Sequence, residues 1–196
     1  AYSTISQVSY ITLGVALMGP IAAVGALAHL VHQGLMKVTL FYCAGNFAET
    51  LGIHRIREMD GVGQRMPLTM TAFTLAALGM IGVPPTAGFI SKWYLGYGAL
   101  EVGQDWVLLV LVLSGLLNAA YFLPLIYRGW FVAPPAEWPH ERQLGSGKPW
   151  LGETHWMLLA PVLFTTVLAL LVGVLAGSAL SPLTWSELIM NRQFDL

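Results

Sequence analysis

The sequence predicts an all-α, polytopic membrane protein, and three observations carry that prediction. Charged residues make up 10% of the chain and hydrophobic ones 56%, whereas an ordinary soluble domain is about 25% charged. The first 36 residues contain no Asp, Glu, Lys or Arg. Several later stretches approach the roughly 20 apolar residues that let one helix cross a bilayer. About five spans are expected within a single transmembrane domain, residues 1–178, followed by a tail, 179–196.

Residues 7–24 (QVSYITLGVALMGPIAAV) and 26–48 (ALAHLVHQGLMKVTLFYCAGNFA) form two spans, set apart by Gly19, Pro20 and Gly25. Residues 49–66 make a polar connection whose alternating apolar and charged positions suit a membrane interface. Pro67 then opens a third span, 67–83, because proline is well placed in a first helical turn. Val83-Pro84-Pro85 ends it. A short piece, 86–100, a polar break at Glu101 to Asp105 and a longer piece, 106–127, are read together as one broken crossing. Residues 128–155, rich in Pro, Gly, Trp and charge, form an exposed loop, and 156–178 is the last span.

Charge placement supports that arrangement. Of nine Lys and Arg, six lie in the two long connections: Arg55, Arg57, Arg65, Arg128, Arg142 and Lys148. With 86–127 as one crossing, both connections fall on one face, and the positive-inside rule makes loops 49–66 and 128–155 cytoplasmic. Two full crossings would put them on opposite faces and remove the bias. The expected location is a bacterial inner membrane. Tyr and Trp clusters at 93–97, 127–130 and 150–156 fit interfacial belts. The start lacks a basic stretch ahead of a short apolar core, so it is not read as a secretory signal, and the chain reads as a piece of a longer protein.

Net charge is −1, so no nucleic-acid partner is implied. The single cysteine, Cys43, excludes an internal disulfide and reads as a small buried side chain. No HExxH, GxSxG, phosphate-binding glycine loop or metal-ligand cluster appears, so neither a cofactor, a metal nor an intramembrane catalytic centre is expected.

The chemistry lies in ionisable residues at membrane depth. Lys37 falls near the middle of its apolar segment, where a lysine costs about 2.5–3.5 kcal/mol on insertion scales and needs a partner or a use. His29 and His32 precede it. At 100° per residue, His29 and Lys37 sit about 80° apart on the helix, with Gln33 between them at four-residue spacing. A His, Gln, Lys stripe is a candidate proton wire, since imidazole titrates near neutral pH and desolvation brings lysine toward that range. The plainer alternatives are a histidine satisfied by a carbonyl, strongest for His32, and a lysine salt-bridged to another subunit. Lys92 follows the Pro84, Pro85, Gly88 interruption, and interrupted helices are where transporters place ion sites. Its alternative is an interfacial lysine. Glu101 and Asp105 are candidates for the exit side, against the reading of solvated helix ends shared by Glu49. Thr39, Tyr42, Ser91, Tyr94, Asn118 and Tyr121 could order water along a path.

AYSTISQVSYI, HLVHQGLMKVTLFYCAGN, the loop ending in GQRMP, and GMIGVPPTAGFISKWYL resemble, in order, motifs of the antiporter-like membrane subunits of NADH:quinone oxidoreductase, Mrp-type cation/proton antiporters and membrane-bound hydrogenases. The resemblance covers about residues 1–178 and implies the second of two inverted five-helix repeats. By it, Lys37 matches a central-axis lysine, His29 a histidine before it, and Lys92 the lysine or glutamate of a broken helix. Gln33 stands where many members have a second histidine, with His32 shifted by one. The resemblance implies proton translocation, with Na⁺ left open, alongside sister membrane subunits in the lipid bilayer. The competing expectation is an interaction module that docks on sister subunits without an ion path of its own.

Overall fold

The computed structural model describes residues 2–135, 138 and 153–194. Among these there is no strand. The helices are α1 (Tyr2–Ala16), α2 (Pro20–Leu51), α3 (Val62–Arg65), α4 (Pro67–Ile81), α5 (Ala87–Glu101), α6 (Trp106–Phe131), α7 (Trp156–Val174) and α8 (Pro182–Phe194), with one 3₁₀ turn at Ile56–Glu58. α2, α6 and α7 are each long and apolar enough to cross a membrane. Their outward faces are large exposed apolar side chains, among them Leu109, Val112, Leu116, Phe164 and Val167. Lipid rather than water suits such a surface.

α2 is the spine. It runs 32 residues, about 48 Å at 1.5 Å per residue. Pro20 starts it, and Gly52 ends it in the left-handed conformation (φ 69°), donating to the Ala48 carbonyl. Gly25 therefore lies inside α2 instead of separating two spans. Its role is close approach: a Cβ there would sit 2.8 Å from the Leu95 nitrogen of α5. The actual separation is at 17–19, where Met18 has φ 52°.

The partners of α2 occur in reverse order along it. Cys43 Sγ donates to the Thr69 carbonyl of α4 at 3.5 Å, Met36 lies against Gly79, Gly25 against Leu95, and Ala22 against Gly98. α4 and α5 thus follow one another down the same helix, interrupted only at 82–86. α6 then returns beside them, with Leu108 near Gly96, Gly115 near the Ile81 carbonyl, and Gly129 on Met70. This corrects the expectation that 86–127 runs in one direction. Residues 102–105 make a reversal, and the interruption lies between α4 and α5, where the two prolines cannot donate to a helical ladder. A consequence is that the connection after α2 and the one after α6 still meet at one end of the bundle. There Arg128 Nε donates to Asp60 Oδ1 at 2.6 Å, and Gly61 N–H to the Arg128 carbonyl at 3.0 Å. The Arg128 guanidinium holds the Asp60 carboxyl below the usual carboxylate range. Met59, Val62 and Met66 are buried there, so the connection folds back onto the end of the bundle.

A 15-residue helix ending inside an apolar bundle needs its end groups satisfied. α4 is bracketed by opposite charges that match its dipole. At its start the buried Glu153 carboxylate accepts from Leu68 N at 2.5 Å, Thr69 N at 3.2 Å and Thr69 Oγ1 at 2.6 Å. At its far end the Lys92 ammonium donates to the Met80 and Ile81 carbonyls, each at 2.9 Å. α7 packs over the interruption, with Gly173 against Pro85, Thr86 and Ala87. The tail is not loose: α8 is a helix that buries Leu183 against Val24 and Ala28.

Candidate functional site

Three helices converge on the middle of α2. α1 carries Ser3, Gln7 and Tyr10, and α6 carries Ser114, Asn118 and Tyr121. Each set has the i, i+4, i+7 spacing that aligns side chains on one helical face. The two stripes pair in antiparallel order. Tyr10 Oη donates to Ser114 Oγ at 2.6 Å, Gln7 Nε2 to Asn118 Oδ1 at 3.2 Å, and Tyr121 interacts with Ser3. Gln7 and Asn118 are fully buried, at 0% and 1% exposure.

The stripes lie between two ionisable residues of α2, Lys37 and His29. Lys37 Nζ donates to Ser3 Oγ at 2.6 Å. Tyr121 Oη donates to Asn118 Oδ1 at 2.5 Å. On the other side, Gln7 Oε1 faces His29 Nε2 at 3.2 Å, and His29 Nδ1 faces Ser91 Oγ at 2.8 Å. The amide oxygen can only accept, so Nε2 carries a hydrogen. Nδ1 can accept from the serine hydroxyl when the ring is neutral and donate to it when the ring is charged. His29 therefore keeps both partners in either state.

Lys92, next to Ser91, completes the group. Its ammonium stands 5.0 Å from the centre of the Tyr10 ring, and that ring meets His29 edge-on at 5.2 Å between centroids. The lysine is thus shared between the end of α4 and the aromatic wall of the site.

Of the residues expected from sequence, the structure brings together Lys37, His29 and Lys92 with Ser91, Asn118 and Tyr121. Gln33 is half-buried and does not bridge His29 to Lys37; Gln7 of α1 stands in its place. His32 is fully buried, and neither ring nitrogen has a hydrogen-bond partner, although the Ala87 backbone lies close by. Glu101 and Asp105 are exposed at the 102–105 reversal. Nine residues separate Lys92 from Glu101 on α5, about 13 Å along the axis. Thr39 bonds to Thr165 of α7 and Tyr94 to Glu187 of α8, so both serve packing between helices. Arg142 and Lys148 of the second connection, and Trp150, lie outside the described residues. Ser3, Gln7, Tyr10 and Ser114 are the members that sequence reasoning misses, and the signal that could have found them is their i, i+4, i+7 spacing. Among the described residues no His, Cys, Asp and Glu cluster could hold a metal.

A helical membrane domain with one interrupted helix, its free ends bracketed by charge, and lysines hydrogen-bonded in its interior defines a class of membrane-embedded protein built around buried ionisable groups. Residues 1–118 match the family described as NADH:quinone oxidoreductase/Mrp antiporter, transmembrane, and the chain belongs to that family. It is 46% identical over 135 residues to NADH-quinone oxidoreductase subunit N of Desulforudis audaxviator, covering 69% of this chain and 27% of that protein. It is 33% identical over 187 residues to a probable K(+)/H(+) antiporter component of Rhizobium meliloti, covering 93% of this chain and 18% of that protein. The chain thus spans less than a third of the length of these two relatives. Among solved structures, the Mrp complex from Dietzia sp. DQ12-45-1b aligns over 100% of this chain and 42% of that one, with a TM-score of 0.81 and 28% identity.

Proposed function

We propose that this chain carries part of a proton path across a bacterial inner membrane, within a multisubunit assembly of antiporter-like and sister membrane subunits. Lys37, His29 and Lys92 hold the proton in turn, and Ser3, Tyr121 and Ser91 position it between them. The observation that carries this reading is the row of polar side chains that begins with Lys37 bonded to Ser3, passes Tyr121 beside it, and is hydrogen-bonded from Tyr121 through Asn118 and Gln7 to His29 and Ser91, next to Lys92. Ionisable groups at membrane depth are costly, and a path is a use that repays their retention. Within this chain Lys37 meets a hydroxyl, that of Ser3, which can both accept and donate. The two connections that meet at Asp60 and Arg128 form the cytoplasmic end, in keeping with their share of the basic residues.

The test replaces Lys37 with Met, and separately Lys92 with Met, in the intact assembly reconstituted into proteoliposomes. Proton or cation transport is lost in both while the subunits still co-purify. Wild-type transport in both variants would remove the reading. Loss of the assembly itself in both would favour an interaction module.

A further inference from the structure

We infer that the paired amides of Gln7 and Asn118 are a proton gate, closed in this structure, between the Lys37 and His29 ends of the path. The inference rests on the proposed path and adds what controls it.

The direction of every hydrogen bond follows from one fixed point. Asn118 Nδ2 donates to the Ser114 carbonyl at 2.8 Å, which can only accept. Asn118 must therefore turn its Oδ1 toward Tyr121 and Gln7, and both donate to it. Gln7, having given its Nε2, presents Oε1 to His29, whose Nε2–H donates to it. From the other end, Lys37 donates to Ser3, and Tyr121, beside Ser3, donates to Asn118. Donors thus run from Lys37 toward Asn118 and from His29 toward Asn118, and they collide on one oxygen.

A chain conducts protons by relay only where each member accepts on one side and donates on the other in the same sense. Hydroxyls and imidazole do this. A carboxamide does not: taking a proton on oxygen and releasing one from nitrogen would leave the imidic acid, and the group does not ionise near neutral pH. Two such groups in series, both buried away from water, hold the helices together and insulate the two ends. Passage requires that the Gln7 to Asn118 bond part and water enter. At 3.2 Å, between neutral groups, this bond is among the weaker links of the network. Gln7 and Asn118 are on different helices, α1 and α6, so a small relative shift of the two opens the gate.

The experiment makes the insulator conduct. Asn118→Asp combined with Gln7→Glu, and Asn118→Ser combined with Gln7→Ser, place at both positions groups that can accept and donate, the second pair without any charge. In the intact assembly in proteoliposomes, with an imposed pH gradient and no driving reaction, dye-reported proton leak rises on the order of tenfold or more over wild type. The leak disappears when Lys37→Met is added, and Asn118→Leu does not produce it. Should the carboxyl pair not assemble, the serine pair decides. Wild-type leak in every relay-competent variant that assembles overturns the gate. Lys37→Met alone separates the two ideas. Transport surviving it removes the path, whereas transport lost in it, with no leak in the relay variants, leaves the path and removes only the gate.

Discussion

Lys37 and Lys92 are both partly buried lysines of one bundle, and they are held in opposite ways. Lys37 donates to the Ser3 hydroxyl, a group that can pass a proton onward. Lys92 donates to two main-chain carbonyls, which cannot, and its charge sits at the negative end of the α4 dipole. One lysine is wired into a chain. The other is a helix cap that also faces the site across Tyr10. The lesson is that the same residue type at membrane depth can be held for different reasons, and that Lys92 serves the end of the interrupted helix whatever else it does.

The sharpest way to break that comparison is the pair of methionine variants. Both abolish transport, but only Lys92→Met should also weaken the fold. It strips two charge-assisted hydrogen bonds from the end of α4, each worth about 1.5–3 kcal/mol in general, so the thermal midpoint of the purified assembly falls. Lys37→Met leaves that midpoint near wild type. Equal losses of stability in the two variants would make the distinction false. Lys92→Arg, which keeps a cation at the cap, should recover stability before it recovers transport.

Tyr121→Phe probes the wired side with a smaller effect. It removes the hydroxyl between Ser3 and Asn118 while keeping the ring, and costs about tenfold in transport rate, the equivalent of one hydrogen bond of roughly 1.4 kcal/mol. Unchanged transport would mean that protons reach His29 by another route.

Much of this is legible in the sequence, and the parts that are not share a cause. Lys37, His29 and Lys92 are readable because each breaks a rule within its own segment: a charge or imidazole in an apolar run, or a lysine beside two prolines. Gln7 breaks no such rule. Its meaning depends on Asn118, 111 residues away, and pairing between helices is not written in local pattern. The i, i+4, i+7 stripes of α1 and α6 are visible one at a time, and only their antiparallel match makes them a network. Gly25 misleads for a related reason. Glycine signals a break when viewed along the chain, but here it admits the backbone of α5, a fact about a neighbour. The direction of 86–127 turns on the same ignorance: whether α5 and α6 continue or reverse is decided by what they pack against.

His32 is the contrasting case, a buried imidazole with no hydrogen bond to the side chains that surround His29. Both ring nitrogens are buried without a partner, and an unsatisfied buried polar group costs about 1–3 kcal/mol. His32→Leu should therefore leave transport intact and hold or raise the thermal midpoint. A loss of transport comparable to that of His29→Leu would place His32 on the path after all.

The smallest expected effect lies at the end of the bundle where Arg128 holds Asp60. Because the folded-state carboxyl titrates below its unfolded value, the pair stabilises the folded chain at pH values above the unfolded pKa, and that contribution is lost as pH falls through the folded one. The pair is partly exposed, so its contribution is small and screened by salt. Asp60→Asn should lower the thermal midpoint slightly at neutral pH and not at all in acid, with transport unchanged. That contrast matters for the comparison, since it asks whether tying the two connections together is needed for the path or only for the end of the bundle. A transport defect in Asp60→Asn as large as that in Tyr121→Phe would show that the register of α6, and with it the pairing of Asn118 with Gln7, is set from this end.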